Sequence, residues 1–267
     1  MNEKYIIITG AGGFVGSYFA NQLLEREYGL ILIDKNKKSL NILKKQLTYN
    51  AYPKQFYFIE DLSKERNVKR IFETLKKKKI NIEGLVNLAA IDAKPKKKNS
   101  KYLTDKQLAF ELEAGLISTY LMIKYFGEDM FKKGFGRIVN IGSDLSVISP
   151  DQTIYSSSYN KYVKPASYSI IKFGLIGLTK YFATLFATGG VTCNILSPGA
   201  IGHKQSKKLK KNLISKTPMK RLAKRDDLIT TLLYMLDKNS SFVSGQNIII
   251  DGGRTLIWKV KFTLLLK

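Results

Sequence analysis

The chain has 267 residues, of which 44% are hydrophobic and 25% charged, and this composition excludes wholesale disorder. Its single cysteine excludes an internal disulfide framework and a thiolate metal cluster, so we expect a reducing compartment and no metal site. The first apolar run, Tyr5 to Ile8, is too short for a signal peptide or a membrane span, and no other segment approaches one. We therefore expect a soluble cytoplasmic protein.

The chain is strongly basic, with 45 Lys and Arg against 21 Asp and Glu and a formal net charge of +24. Such an excess suits a nucleic-acid partner, because basic side chains that neutralise phosphates release counterions. However, 38 of the 45 basic residues are Lys, whereas base edges are usually read by Arg. We therefore expect a solvated lysine-rich surface and no nucleic-acid partner, and an anionic substrate remains compatible with this field.

Strand-like and helix-like segments alternate along the whole chain. The predicted strands are short and mostly apolar: 5–9, 30–34, 55–60, 85–89, 137–141, 191–196 and 248–251. The predicted helices are 14–27, 39–47, 68–75, 107–130 and 168–188. Apolar strands separated by helices indicate a parallel sheet covered on both faces. The predicted fold class is therefore α/β, a single-domain Rossmann fold with a doubly wound sheet of about seven strands.

We expect this domain to span residues 1–257 and residues 258–267 to form a C-terminal tail. The tail alternates apolar residues with Lys, which is compatible with an added strand, with packing on a neighbouring subunit or with disorder. Two long irregular segments, about 144–166 and 199–218, interrupt the alternation of strands and helices. Long loops in such folds usually shape the functional site, so we expect them to bind the substrate.

A glycine-rich segment separates the first predicted strand from the first predicted helix. It contains the candidate cofactor-binding residues Gly10, Gly12, Gly13, Phe14, Val15 and Gly16. Gly10 suits a tight turn, Gly12 and Gly13 allow the backbone to approach a pyrophosphate, and Gly16 allows the helix to pack on the strand. The free amide groups at the helix N-terminus then face the phosphate oxygens.

Asp34 ends the second predicted strand, where a carboxylate can accept hydrogen bonds from the hydroxyls of an adenosine ribose. This position predicts NAD as the cofactor. Lys35, Lys37 and Lys38 follow it and suit the additional phosphate of NADP, which therefore remains possible. The alternative interpretation of the whole motif is a flexible loop followed by an incidental aspartate.

Three polar residues are candidates for catalysis. Tyr168 and Lys172 are spaced i and i+4 on a predicted helix, so the ammonium group can stabilise a phenolate and lower the pKa of the tyrosine. Ser143 follows Gly142 at the end of a predicted strand, where ligands bind in open α/β sheets. An exposed Tyr–Lys pair and a simple strand-end turn are the alternatives.

Together these residues resemble the short-chain dehydrogenase/reductase family, and the match covers nearly the whole chain. Four further segments agree with the family pattern in order and placement: Glu60-Asp61-Leu62, Asn87-Leu88-Ala89-Ala90, Ser197-Pro198-Gly199 and the Gly-rich stretch 245–253. The resemblance implies that Tyr168 is the general acid/base, that Lys172 lowers its pKa and holds the nicotinamide ribose, and that Ser143 orients the substrate oxygen. The implied reaction is hydride transfer between the nicotinamide and a carbon bearing a hydroxyl or carbonyl group.

The same resemblance implies the remaining cofactor contacts. Asp61 would hold the adenine, Asn87 and Ala89 would line the cofactor, and the backbone of Ile201 would meet the carboxamide. The other implied cofactor-binding residues are Leu62, Pro198 and Gly199. His203 lies where relatives often carry a Thr that touches the cofactor, and we expect its side chain to face solvent.

Several features depart from the family pattern. Phe14 stands where the ordinary branch has Gly, and the glycine spacing is that of the extended branch. Gly115 stands where many members place a catalytic Asn, which puts their proton relay in doubt. The loop between Ser143 and Tyr168 is longer than in most members, and its Tyr155, Tyr159 and Tyr162 either line the substrate pocket or pack as a surface loop.

The stretch 164–168 and the ending Gly245-Gln246-Asn247 look like a bacterial subgroup associated with flagellin and surface-polysaccharide modification. This likeness implies a sugar or nucleotide-sugar substrate. A 3-oxoacyl-acyl carrier protein reductase and a cofactor-binding regulator without turnover are the alternatives. The two long predicted helices, 107–130 and 168–188, are apolar on more than one face, so we expect a homotetramer or homodimer.

Overall fold

Seven parallel strands form one sheet in the computed structural model, which describes residues 4–47, 54–90, 102–155 and 163–257. The strands are β1 Tyr5–Thr9, β2 Gly29–Asp34, β3 Gln55–Ile59, β4 Ile82–Asn87, β5 Gly136–Ile141, β6 Val191–Pro198 and β7 Asn247–Ile250. Their order in the sheet is β3-β2-β1-β4-β5-β6-β7, and every neighbouring pair is parallel. The order reverses between β1 and β4, so the switch point where ligands bind lies at the carboxyl ends of these two strands.

The helices cover both faces of this sheet. They are α1 Phe14–Leu24, α2 Lys37–Leu47, α3 Glu65–Lys77, α4 Asp105–Leu112, α5 Ser118–Met122, α6 Glu128–Lys133, α7 Ala166–Leu185, α8 Lys207–Ser215 and α9 Asp226–Leu236. Two π-helical turns, Glu113–Ile117 and Ile123–Gly127, join α4, α5 and α6. Within the described ranges, no helix combines the length and apolar character needed to cross a membrane.

The core consists of two apolar layers separated by the sheet. Successive residues of a strand point to opposite faces, so Ile7 packs in one layer and Ile8 in the other. The first layer includes Phe126 and Phe182 from the long helical segments, and the second includes Phe19 from α1. Burial on both faces explains why the strands are apolar at nearly every position. The predicted α/β fold class is therefore confirmed.

The structure corrects two predictions of local structure. Helix α1 ends at Leu24 because Glu27 adopts a left-handed backbone conformation with a φ of 63°, so the predicted helix 14–27 is too long. The segment 199–218, predicted to be irregular, contains α8, whose N-terminus is capped by the Ser206 hydroxyl accepting from the Leu209 amide. The few apolar residues of α8 lie among lysines, so the sequence does not show a clear helical spacing of apolar residues there. The tail 258–267 and two loop tyrosines, Tyr159 and Tyr162, lie outside the described residues.

Candidate active site

The glycine-rich loop makes a turn that favours glycine at two positions. Gly10 has a φ of +66°, which favours glycine. A Cβ atom at Gly16 would lie 2.3 Å from the Gly10 carbonyl oxygen, so the close contact between α1 and the loop also requires glycine. The Thr9 hydroxyl accepts from the amides of Leu88 and Ala89, both at 3.0 Å, and thereby ties the loop to the end of β4.

A groove of about 620 Å³ runs from this loop across the ends of β2 and β3. Its lining includes the predicted cofactor-binding residues Gly10, Gly13, Asp34, Asp61, Leu62 and Ala89. The Asp34 carboxylate accepts from the amides of Gly12 at 2.9 Å and Asn36 at 2.8 Å, so it is already oriented at the strand end. A Cβ atom at Gly12 would lie 2.5 Å from the Ser39 hydroxyl, so the packing of α2 also requires glycine there.

Asp61 carries its charge at the far end of this groove. Burial acts to raise the pKa of Asp61, but hydrogen bonds from Ser63 and the positive charges of Lys35 and Lys64 outweigh it and lower the pKa below its ordinary value. The amide of Ser63 donates to the Asp61 carboxylate at 3.0 Å. A fixed carboxylate of this kind can accept hydrogen bonds from an amino group on a purine ring.

Asn87 ends β4 directly before three residues that line the groove. The residue is only 4% exposed, and its side-chain amide donates to the side-chain oxygen Oδ1 of Asn140 at 2.9 Å. Its own amide oxygen has no hydrogen-bond partner in the structure. The next residues of the same turn, Leu88 to Ala90, line the groove instead, because β4 ends at Asn87.

A second cleft, of about 1040 Å³, adjoins the carboxyl ends of β5 and β6. It brings together Ser143 and Tyr168, which come from separate elements. The other lining residues include the predicted cofactor contacts Val15, Pro198, Gly199 and Ile201, together with Tyr155, Lys164 and Arg254. The cofactor residues and the candidate catalytic residues therefore share one continuous edge of the sheet.

Two ammonium groups flank Tyr168. The Lys172 nitrogen lies 5.8 Å from the centre of the Tyr168 ring and donates to the Ile141 carbonyl at 2.8 Å. The Lys164 nitrogen lies over the same ring, 3.8 Å from its centre. Gln152 holds the backbone of Lys164 through two hydrogen bonds, of 2.8 and 3.2 Å. Because cations nearby favour the ionised form of a phenol, this arrangement suits proton transfer at Tyr168.

Ser143 belongs to a buried polar chain that the sequence analysis missed. Its hydroxyl donates to the Asp144 carboxylate at 2.9 Å, and the second Asp144 oxygen accepts from Arg254 at 2.5 Å. All three side chains are at most 7% exposed. Burial raises the pKa of Asp144 against the opposing charge of Arg254. The sequence held one sign of this pair, because Asp144 directly follows Gly142-Ser143 and Arg254 directly follows Asp251-Gly252-Gly253.

Gly115 stands where many family members place the catalytic Asn of their proton relay, and a side chain at this position would collide with α7. A Cβ atom at Gly115 would lie 2.9 Å from the Ile171 side chain of α7. Gly115 lies in the π-helical turn Glu113–Ile117. Its backbone carbonyl accepts a hydrogen bond from the Thr119 hydroxyl at 3.0 Å. The α7 helix therefore packs directly against the backbone at this position.

His203 is exposed, and its ring stacks on Phe14 with 3.9 Å between the ring centres and 23° between the ring planes. This contact joins Phe14, one of the departures from the family pattern, to the loop after β6. Among the residues that the structure describes, no group of three or more His, Cys, Asp or Glu side chains is placed to bind a metal ion.

Comparison with known proteins agrees with this geometry. A family model described as Enoyl-(Acyl carrier protein) reductase matches residues 12–255. The 3-oxoacyl-(acyl-carrier-protein) reductase FabG of Buchnera aphidicola is 28% identical over 95% of this chain and 98% of its own length. The post-translational flagellin modification protein A of Campylobacter coli is 25% identical over 95% of this chain and 98% of its own length.

A solved structure shows the same likeness. The short chain dehydrogenase from Leptospira borgpetersenii, with bound NAD+, superimposes with a TM-score of 0.84 at 28% identity, covering 96% of this chain and 94% of that one. The fold, the order of the motifs and the family match lead to one classification. This chain belongs to the short-chain dehydrogenase/reductase family and is an oxidoreductase.

Proposed function

We propose that this protein is an NAD(P)-dependent oxidoreductase that interconverts a secondary alcohol and a ketone on a carbohydrate or nucleotide sugar. The observation that carries the proposal is the meeting of Ser143 and Tyr168 in one cleft beside the groove of the glycine-rich loop. Lys172 is held next to Tyr168 by the Ile141 carbonyl. The proposed setting is the cytoplasmic synthesis of sugars for flagellin or surface glycans, which the similarity to flagellin modification protein A supports.

The residues of the cleft would divide the proton chemistry as follows. Tyr168 exchanges a proton with the substrate oxygen, and Lys172 stabilises the phenolate. Ser143 orients the same oxygen by a hydrogen bond. The glycine-rich loop and the amides at the start of α1 would hold the cofactor's diphosphate, and Asp34 its adenosine ribose. The nicotinamide supplies or accepts the hydride.

The groove fits such a dinucleotide on three independent features. Gly10 and Gly16 keep the phosphate loop compact against α1. The Asp34 carboxylate is already oriented by two backbone amides. Asp61 and Leu62 line the same groove just after β3, the strand that pairs with β2. They would therefore hold the adenine one strand away from the ribose at Asp34.

The second candidate function is reduction of a 3-oxoacyl thioester, which the similarity to the Buchnera FabG protein favours. A cofactor-binding regulator without turnover is less well supported, because the cleft retains Ser143, Tyr168 and Lys172. One experiment separates the three functions. Purified protein and NAD(H) or NADP(H) are incubated in parallel with two sets of compounds: a panel of sugars and nucleotide sugars, and acetoacetyl thioesters. Turnover is followed by the absorbance of the reduced nicotinamide.

Turnover of sugars but not of thioesters supports the proposed function, and the reverse supports the second candidate. The matched control is the variant Tyr168→Phe, which removes only the phenolic oxygen and should lower whichever activity is found by at least ~100-fold. Cofactor binding with no turnover of any compound contradicts both enzyme proposals and favours the regulator.

We also propose a homotetramer or homodimer that pairs the long helical segments. The outward side chains Ile170, Phe173, Tyr181 and Leu185 of α7 are 45–61% exposed in the single chain. On the same helix, a Cβ atom at Gly177 would meet nothing within 4 Å, so a partner helix can approach closely. An exposed apolar stripe of this kind is typical of a surface that a subunit covers.

A further inference from the structure

A side cavity of about 840 Å³ adjoins the cleft that holds Ser143 and Tyr168. Its walls come from the loop after β5, the segment after α8 and the turn after β7, and they include Ile148, Ile154, Thr217, Lys220 and Ile257. Arg254 belongs to the lining of both the cleft and the side cavity. The two spaces therefore meet at this side chain.

Arg254 is held rigidly where the two spaces meet. Its Nη1 group donates to the Asp144 carboxylate at 2.5 Å, and the residue is only 7% exposed. The Asp251 carboxylate accepts from the backbone amides on either side of Arg254, at 2.8 and 2.6 Å, and so fixes the turn that carries it. A guanidinium group fixed in this way loses little conformational freedom when it binds a ligand.

The guanidinium group has more donors than its partner uses. Nη1 is taken by Asp144, whereas Nε and Nη2 donate to no acceptor in the part of the chain that the structure describes. Neither of these two nitrogens is fully buried, so both can be reached from the spaces that Arg254 lines. Nε and Nη2 form one edge of the planar group, and this edge matches two oxygens of a carboxylate or a phosphate.

A second cation, Lys220, lines the side cavity. The other charged residues of the lining besides Arg254 are Lys216 and Asp151, which pair with each other at 3.0 Å. The Lys220 ammonium group makes no hydrogen bond or ion pair with any residue that the structure describes. Once the ion pairs of the lining are counted as neutral, the positive charge of Lys220 remains, and it favours an anionic ligand.

We propose that the Nε–Nη2 edge of Arg254, assisted by Lys220, binds an anionic group of the substrate, a carboxylate or a phosphate, where the cleft and the side cavity meet. The inference rests on the proposed function and narrows its substrate class to sugars that carry a negative charge. Asp144 bonds to both Arg254 and the Ser143 hydroxyl, so one side chain separates the anion-binding edge from Ser143. The bound anion would then determine which carbon of the sugar lies at Tyr168.

The test is isothermal titration calorimetry of the protein saturated with NADH, which keeps phosphate-bearing probes out of the cofactor groove. NADH cannot accept a hydride, so alcohols bind without being oxidised. The neutral probe is glucose, and the anionic probes are glucuronate, glucose 1-phosphate and UDP-glucose, which distinguish a carboxylate from a phosphate and a diphosphate. We expect at least one anionic probe to bind about 10-fold or more tightly than glucose.

Three variants show where the anion binds. Arg254→Lys keeps a cation beside Asp144 but lacks the bidentate edge, so it should weaken binding of the anionic probe by about 10- to 100-fold and of glucose by less than twofold. Lys220→Gln alters an exposed residue and should weaken binding of the anionic probe by about 2- to 5-fold. The matched control is Lys224→Gln, which removes the same charge from an exposed lysine outside both linings and should change no affinity. An NADH Kd within about twofold of wild type verifies that each variant is folded.

Equal affinities of the wild type for glucose and for every anionic probe would overturn the inference and leave the proposed function intact. Anion binding that survives both Arg254→Lys and Lys220→Gln would also overturn it, because the anion would then bind elsewhere. An equal loss for glucose and the anionic probes in Arg254→Lys would show that Arg254 has only a structural role. Failure of the wild type to bind NADH or NADPH would instead refute the proposed function, and the inference with it.

Discussion

The choice between NAD and NADP depends on the charges at the end of β2, and we expect NAD to bind more tightly. Asp34 is the last residue of the strand, and its carboxylate is fixed by the amides of Gly12 and Asn36. Lys35, the nearest cation in sequence, has its nitrogen over the Phe110 ring at 4.9 Å and acts on Asp61. Its ammonium group is therefore engaged by Phe110 and Asp61 rather than by Asp34.

The size of the preference follows from the repulsion between a 2′-phosphate and the Asp34 carboxylate. At a separation of ~4 Å and an effective dielectric constant of ~20, one pair of like unit charges costs on the order of 4 kcal/mol. Asp34 is only half-buried, so water and salt reduce this cost. We expect NADH to bind about 10- to 100-fold more tightly than NADPH, which corresponds to about 1.4 to 2.8 kcal/mol.

The assay is the Kd of each reduced cofactor, measured by fluorescence titration in wild type, in Asp34→Asn and in Asp34→Ser. Asp34→Asn removes the charge but keeps the shape and one acceptor oxygen, so it isolates the electrostatic part and should lose most of the preference. Asp34→Ser also removes the reach to the ribose and should weaken NADH binding further. Tighter binding of NADPH than of NADH by the wild type would refute the reasoning and show that the lysines around this strand end dominate.

Three further predictions concern catalysis, folding and assembly. Tyr168→Phe should lower kcat by at least ~100-fold in steady-state assays while the cofactor Kd stays within about twofold; near-normal turnover would remove Tyr168 from the mechanism. Arg254→Met should lower the free energy of unfolding in urea by about 3–5 kcal/mol, because the buried Asp144 carboxyl group loses the cation that offsets the cost of its burial. The double variant Asp144→Leu/Arg254→Met should recover much of that loss, and an equally destabilised double variant would contradict the prediction. Light scattering should show a dimer or tetramer, and Phe173→Glu on the exposed face of α7 should dissociate it; a wild-type monomer at micromolar concentration would disprove this assembly.

The sequence alone was sufficient for the features that depend on neighbours in the chain. The apolar strands and the helices between them predicted a parallel doubly wound sheet, because each period reflects which faces of an element are buried. The glycine-rich loop and the acidic end of β2 predicted the groove that the structure shows. The i, i+4 spacing of Tyr168 and Lys172 predicted that they share one face of a helix, and both lie on α7.

The remaining features depend on contacts that only the tertiary structure brings about. Asp144 and Arg254 are 110 residues apart and meet because β5 and the turn after β7 end at the same edge of the sheet. The sequence indicated Phe14 as a departure from the glycine pattern of the family and His203 as a solvent-facing side chain, and only the path of the loop after β6 brings their rings together. Burial of Asn87 likewise follows from its register opposite Asn140 on β5. Backbone periodicity is a local property that a sequence displays directly, whereas the pairing of distant side chains is set by strand register and loop geometry, which no local pattern encodes.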